Sequence, residues 1–117
     1  MKKVLALLTL ILVVCSATVA FAAGKEPIKI GYLAALTGDY AAYGQTEVNM
    51  AKMVVEDINK AGGLLGRKVE LVPYDTKTRN EDAVNAVRRM IENDKVCVIV
   101  GANSSGINIA TAPIVNK

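Results

Sequence analysis

Apolar residues fill nearly every position from Ile28 to Ala35, in the order Ile-Lys-Ile-Gly-Tyr-Leu-Ala-Ala, as in a strand covered on both faces. The next stretch, Leu36 to Gly44, breaks that run with two glycines and an aspartate and predicts a loop. From Gln45 to Lys60 the apolar positions Val48, Ala51, Val54, Val55 and Ile58 recur at the spacing of one helix face. Gly62 and Gly63 stop that helix, and Lys60 stands in its last turn. Lys68 to Tyr74 alternates and predicts a second strand. Pro73 has no N–H to give to a ladder, so this strand is expected at a sheet edge. Thr78 and Glu81 have the spacing of a capping box ahead of a second helix, whose stripe is Ala83, Val84, Val87, Met90 and Ile91 and which ends near Asn93. Val96 to Val100 is wholly apolar and mostly β-branched, which predicts a central parallel strand. A third helix is expected from Ser105, with Ile107, Ile109, Ala110, Pro113 and Ile114.

The order β-α-β-α-β-α places the chain in the α/β class, as a three-layer βαβαβα unit with a parallel sheet and right-handed crossovers. Three strands leave Val96–Val100 with one open edge, a row of unpaired backbone groups beside apolar side chains. The unit is therefore expected to be the first part of a larger domain. Alone, residues 23–117 are expected to be marginally stable, to self-associate through Val96–Val100 and to bind a small ligand no better than millimolar.

The first residues change the picture of where the protein works. Lys2 and Lys3 precede an apolar run from Val4 to Val14, and Ala20-Phe21-Ala22 has the small-x-small form of a cleavage signal. Residues 1–22 are read as a secretory signal peptide rather than a membrane span, because the apolar run is shorter than the roughly 20 residues a span needs. Cys15 follows that run as a lipoprotein cysteine would, but such signals place a small residue just before it and Val14 stands there. Cys15 is assigned to the discarded peptide, not to a lipid anchor. The mature chain keeps Cys97, which is expected to serve as a small core hydrophobe and has no partner for an internal disulfide. The net charge of +3 falls to +1 when Lys2 and Lys3 are removed, and no basic block remains to favour nucleic acid or an anionic membrane.

Candidate chemistry is sparse. Ala102 to Gly106 fits A-x-S-x-G, a variant of the nucleophile elbow, between a strand and a helix. A serine nucleophile needs a base, usually histidine, and the chain has none. A hydrolase would have to draw one from elsewhere. Ala61 to Lys68 resembles a phosphate loop only superficially, with Ala61 and Arg67 at the required glycine and lysine positions and with helix before strand. Glu56 and Asp57 are adjacent on a helix and cannot share an ion, so no metal is expected. Ser104 and Ser105 remain as binding groups. They stand where a strand opens into a helix, and a helix amino end offers free amides to a carboxylate. One serine is expected to cap the helix and the other to face a ligand. Tyr40 and Tyr43 lie in the loop after the first strand, beside that junction, where a ring can pack on an apolar side chain.

Several motifs occur in one order. Gly31 to Gly44 matches G-x-x-x-x-x-T/S-G-x-x-A-x-Y-G, Asp57 to Gly63 matches D-I-N-x-x-G-G, Leu65 to Leu71 reads LGRKVEL, and Val100 to Gly106 reads VGANSSG. Together they resemble the N-terminal lobe of the branched-chain amino acid (Leu/Ile/Val-type) periplasmic binding proteins of ABC transporters, over essentially the whole mature chain. The resemblance implies the type I periplasmic binding fold, two α/β lobes closing over a small ligand, with this chain as the N-terminal part of the first lobe. It implies that Tyr43 covers the ligand side chain and that Ser105 binds the α-carboxylate with Ser104 beside it. Asn103 and Ala102 would line the loop. The implied function is that of a non-enzymatic, cofactor-free periplasmic component that delivers an amino acid to the permease subunits of an importer. The same fold would also serve as the sensor domain of a signalling receptor.

Overall fold

A computed structural model describes residues 26–116; the expected signal peptide, residues 1–22 with Cys15, lies outside the described residues. β1 (Ile28–Ala34) is the middle strand of a three-stranded parallel sheet ordered β2-β1-β3. It pairs along its whole length with β2 (Val69–Asp75), from Ile28 opposite Val69 to Ala34 opposite Asp75. On its other side Ile30, Gly31 and Tyr32 face the three residues of β3 (Val98–Val100).

The register explains the proline. Ile28 N–H donates to the Lys68 carbonyl and Thr76 N–H to the Ala34 carbonyl, so even-numbered residues of this segment turn their backbone towards β1. Pro73, at an odd position, turns outward, and its missing N–H costs no ladder bond. The outward backbone of Val69 is bonded by a side chain instead: Asn59 Nδ2 donates to the Val69 carbonyl and Val69 N–H donates to Asn59 Oδ1, both at 2.8 Å.

Asn59 belongs to α1 (Ala41–Lys60), which begins four residues before the expected Gln45, so Tyr43 and Gly44 lie in its first turn rather than in a loop. Gly62 and Gly63 follow it with φ of 104° and 81°, conformations that stop a helix at little cost for glycine. α2 (Asn80–Arg89) runs on into one π-helical turn, Met90–Asp94. The expected capping box at its start does not form. Arg79 takes the N-cap position, Glu81 pairs with the Arg79 guanidinium at 3.3 Å, and the buried Thr78 hydroxyl has no partner among the described residues. The cause is the backbone: Lys77 and Thr78 both have positive φ, 47° and 59°, which turns Thr78 against Gly38 and away from the helix end.

α3 (Ser105–Val115) begins where the sequence predicts it. Its N-cap residue is Ser104, but with no side-chain cap hydrogen bond, so the expected serine cap is absent. Leu33, Ala83, Ala86, Val87, Met90, Ala102 and Ile107 form the core between the sheet and the pair α2 and α3. α1 packs on β1 and β2, and the right-handed sense of the two crossovers puts it on the opposite face of the sheet.

β3 departs from expectation. It is three residues long instead of the expected Val96–Val100, and it carries the open edge expected of it among the described residues. Ile99 packs towards Met90, whereas Val98 and Val100 are 51% and 41% exposed, and Cys97 is exposed rather than in the core. An unbroken apolar run signals two covered faces, and among the described residues only the face towards α2 and α3 is covered.

Candidate functional site

The strand order contains its own instruction for where a ligand fits. The first crossover carries the chain from β1 to β2 on one side, and the second carries it back past β1 to β3 on the other. The loops after β1 and β3 therefore diverge at their carboxyl ends, and an open parallel sheet has its crevice at that point.

A cavity of about 390 Å³ lies there, lined by Tyr40 and Tyr43 from the first loop and helix, and by Asn103 and Ser104 from the second loop. The tyrosine rings are 6.4 Å apart at an interplanar angle of 52°, a tilted contact. Both rings are exposed. Asn103 Nδ2 donates to Glu47 Oε1 of α1 at 3.2 Å, which joins the two walls across β1. The second loop is held from behind by Asn108, whose Nδ2 donates to the Ala102 carbonyl at 3.0 Å.

The first wall is set by two contacts. Gly44 lies buried against the backbone of Ala35, so close that a Cβ at Gly44 would overlap the Ala35 carbonyl. Asp75, at the end of β2, receives Leu36 N–H at 2.9 Å, Thr37 N–H at 3.2 Å and Lys77 N–H at 2.8 Å on Oδ1, and the Thr37 hydroxyl at 2.6 Å on Oδ2. Burial pushes the Asp75 carboxyl upward, but these bonds outweigh it and hold its pKa below the usual carboxylate value. Burial first, and the Glu47 carboxylate second, push Tyr32 in the opposite sense, upward from the usual phenol value.

A carboxylate with a depressed folded pKa contributes stability that is present above its unfolded pKa and lost as pH falls through the folded value. Urea midpoints of the chain are expected to drop as pH is lowered from about 5 towards 2. In Asp75→Asn that component of the drop should be missing; an identical pH profile in the variant would show that the carboxylate is not held in this way.

Of the sequence-predicted residues, Tyr43, Asn103 and Ser104 come together around the cavity. Ser105 is exposed at the first position of α3, next to Ser104 but outside the lining residues. Tyr40, weighed beside Tyr43, joins it. The sequence reading missed Glu47 and Asp75. Asp75 stands at a strand's carboxyl end beside Thr76, but its partners Leu36 and Thr37 lie on another element, so nothing local marked it; Glu47 likewise carried no signal. Among the described residues no three His, Cys, Asp or Glu side chains gather as a metal site.

Residues 27–117 match the profile of a family described as periplasmic binding protein. The Leu/Ile/Val-binding protein BraC3 of Rhizobium johnstonii is 38% identical over 99 residues, covering 84% of this chain and 27% of that protein. The Leu/Ile/Val-binding protein of Escherichia coli is 37% identical over 76 residues, covering 65% of this chain and 20% of the relative. Among solved structures, the branched-chain amino acid transporter substrate binding protein LivJ of Streptococcus pneumoniae, in complex with isoleucine, is similar at a TM-score of 0.73 and 33% identity, over 77% of this chain and 26% of that one. The chain thus spans about a quarter of the length of the relatives it matches. These relatives are named for binding and transport, not catalysis, which sets aside the nucleophile-elbow reading of Ala102–Gly106.

Proposed function

Because the chain belongs to the periplasmic binding protein family, we propose that it serves in an ABC importer as part of the exported solute-binding component, gripping a branched-chain or related amino acid for delivery to the permease. The observation that carries this is the pairing around one cavity of two aromatic rings with an amide and a hydroxyl at a helix amino end. An α-amino acid offers the complement. Its apolar side chain lies against Tyr40 and Tyr43, and its carboxylate meets the Ser104 and Ser105 hydroxyls and the first amides of α3. A charged ligand held by neutral donors needs no buried counter-charge, and each such hydrogen bond is worth about 1.5–3 kcal/mol. The isoleucine in the Streptococcus pneumoniae relative is of the same ligand class.

The test is an NMR titration of the chain with isoleucine and with 2-methylbutylamine, which keeps the side chain and amine but lacks the carboxylate. Isoleucine is expected to shift the resonances of Tyr40, Tyr43, Asn103 and Ser104 saturably, in the millimolar range, and the amine to leave them in place. Equal response to both ligands, or to neither, would count against the reading.

A further inference from the structure

Tyr40 and Tyr43 are 51% and 66% exposed. Rings with so few neighbours take their position from the backbone beneath them. That backbone is anchored at a distance from the cavity, on the outer strand β2. Three of the four bonds to Asp75 come from Leu36 and Thr37, in the turn just before the tyrosines. The fourth, from Lys77 N–H, ties the turn after β2 to the same carboxylate. Gly38, at φ 86°, packs its α-carbon face on this second turn, with the Thr78 hydroxyl 3.1 Å and the Lys77 carbonyl oxygen 3.3 Å from where a Cβ would stand. Gln45 Nε2 donates to the Leu36 carbonyl at 3.1 Å, and Ala41 N–H to the Gly38 carbonyl at 3.2 Å, so α1 starts directly from the clamped turn.

We infer that Asp75 is a positioning residue for the binding site: through Leu36 and Thr37 it fixes the Tyr40–Tyr43 pair relative to Asn103 and Ser104. This rests on the amino-acid-binding function proposed above, and it divides the site into two parts. The tyrosine wall, which reads the ligand side chain, depends on Asp75. The serine wall, which takes the carboxylate, hangs from β3 and α3, with Asn103 joined only to Glu47 in the second turn of α1 rather than to the clamped turn. Loosening the clamp therefore weakens discrimination between side chains more than it weakens the grip on the amino acid head.

The chain and its Asp75→Asn, Thr37→Val and Thr37→Ser variants are titrated by NMR with isoleucine and with alanine, which share the head and differ in the side chain. The parent is expected to prefer isoleucine. Asp75→Asn and Thr37→Val should lose about ten-fold of that preference while alanine binding stays within about two-fold, since each removes a hydrogen bond to a charged group. Thr37→Ser keeps the hydroxyl and should behave as the parent does. The contact between the two tyrosine rings, read without ligand, should fade in Asp75→Asn and Thr37→Val and persist in Thr37→Ser. An unchanged preference, or equal weakening of both ligands as a general loss of fold produces, overturns the inference. If the parent binds neither amino acid, the proposed function fails, and the ligand-free ring contact alone decides whether Asp75 places the tyrosines. Should Asp75→Asn not fold, Thr37→Val, which leaves the carboxylate in place, carries the comparison.

Discussion

Gly44→Ala is expected to destabilise the chain by about 3 kcal/mol and to push the first turn of α1 off the sheet, the upper part of the usual range for overpacking. The atoms that a Cβ would meet at Gly44 are the Ala35 carbonyl oxygen, its carbon at 2.6 Å and the Ala35 nitrogen at 2.8 Å. All three are backbone, so no side-chain rotation relieves the clash. Alanine is the better helix former by roughly 1 kcal/mol, which acts in the opposite direction and is too small to win. The whole amino end of α1 must lift, and Tyr40 and Tyr43 lift with it. Urea unfolding followed by circular dichroism measures the loss. A variant as stable as the parent would mean that helix and strand do not approach this closely.

Met90→Ala should be the most damaging single truncation, at about 2–5 kcal/mol, because deleting a buried side chain forfeits its transfer energy and leaves a cavity. Met90 is fully buried, and its sulfur lies 2.7 Å from where a Cβ on Gly31 would stand. It packs with Leu33, Val87 and Ile107, so the hole opens between the middle strand and the helix layer. The geometry also specifies a partial rescue. Gly31→Ala alone collides with the Met90 sulfur, but in the Met90→Ala background the added methyl fills part of the void. The double variant is expected to be more stable than the sum of the two single effects, by about 0.5–3 kcal/mol, the range for residues in contact. Strict additivity in urea unfolding would refute the contact.

These two sites mark what could and could not be read along the chain. Met90 declared itself by helical spacing with Val87 and Ala83, because burial on one face imposes a period. β1, β2 and the edge position signalled by Pro73 were legible for the same kind of local reason. Gly44 was visible as a glycine but read as a loop breaker. Its purpose is a contact with Ala35, and contacts between elements leave no period in a sequence. The capping box at Thr78 and Glu81 had the right spacing and failed because Lys77 and Thr78 take left-handed backbone, which packs Thr78 against Gly38, forty residues earlier. Around the cavity, Ser104 was legible from its place where a strand opens into a helix and Tyr43 from following the first strand, while Asn103 came only with the family resemblance. Asp75 and Glu47 were not legible, since each acts on a loop from a different element.

The two rims of the sheet are not alike, and the difference gives it a direction of growth. Along β2 the outward groups of Val69 are already taken by Asn59, and Pro73 offers no hydrogen at all. Along β3 the Cys97 N–H donates inward to Lys29, which leaves the backbone of Val98 and Val100 turned outward beside their exposed side chains. A strand added beside β3 would meet free backbone at Val98 and Val100, whereas one added beside β2 would find Val69 already bonded and no hydrogen at Pro73. Assembly is thereby made one-sided: a single residue's carboxamide and a proline act as a selvedge on one border, and the weave is left open on the other.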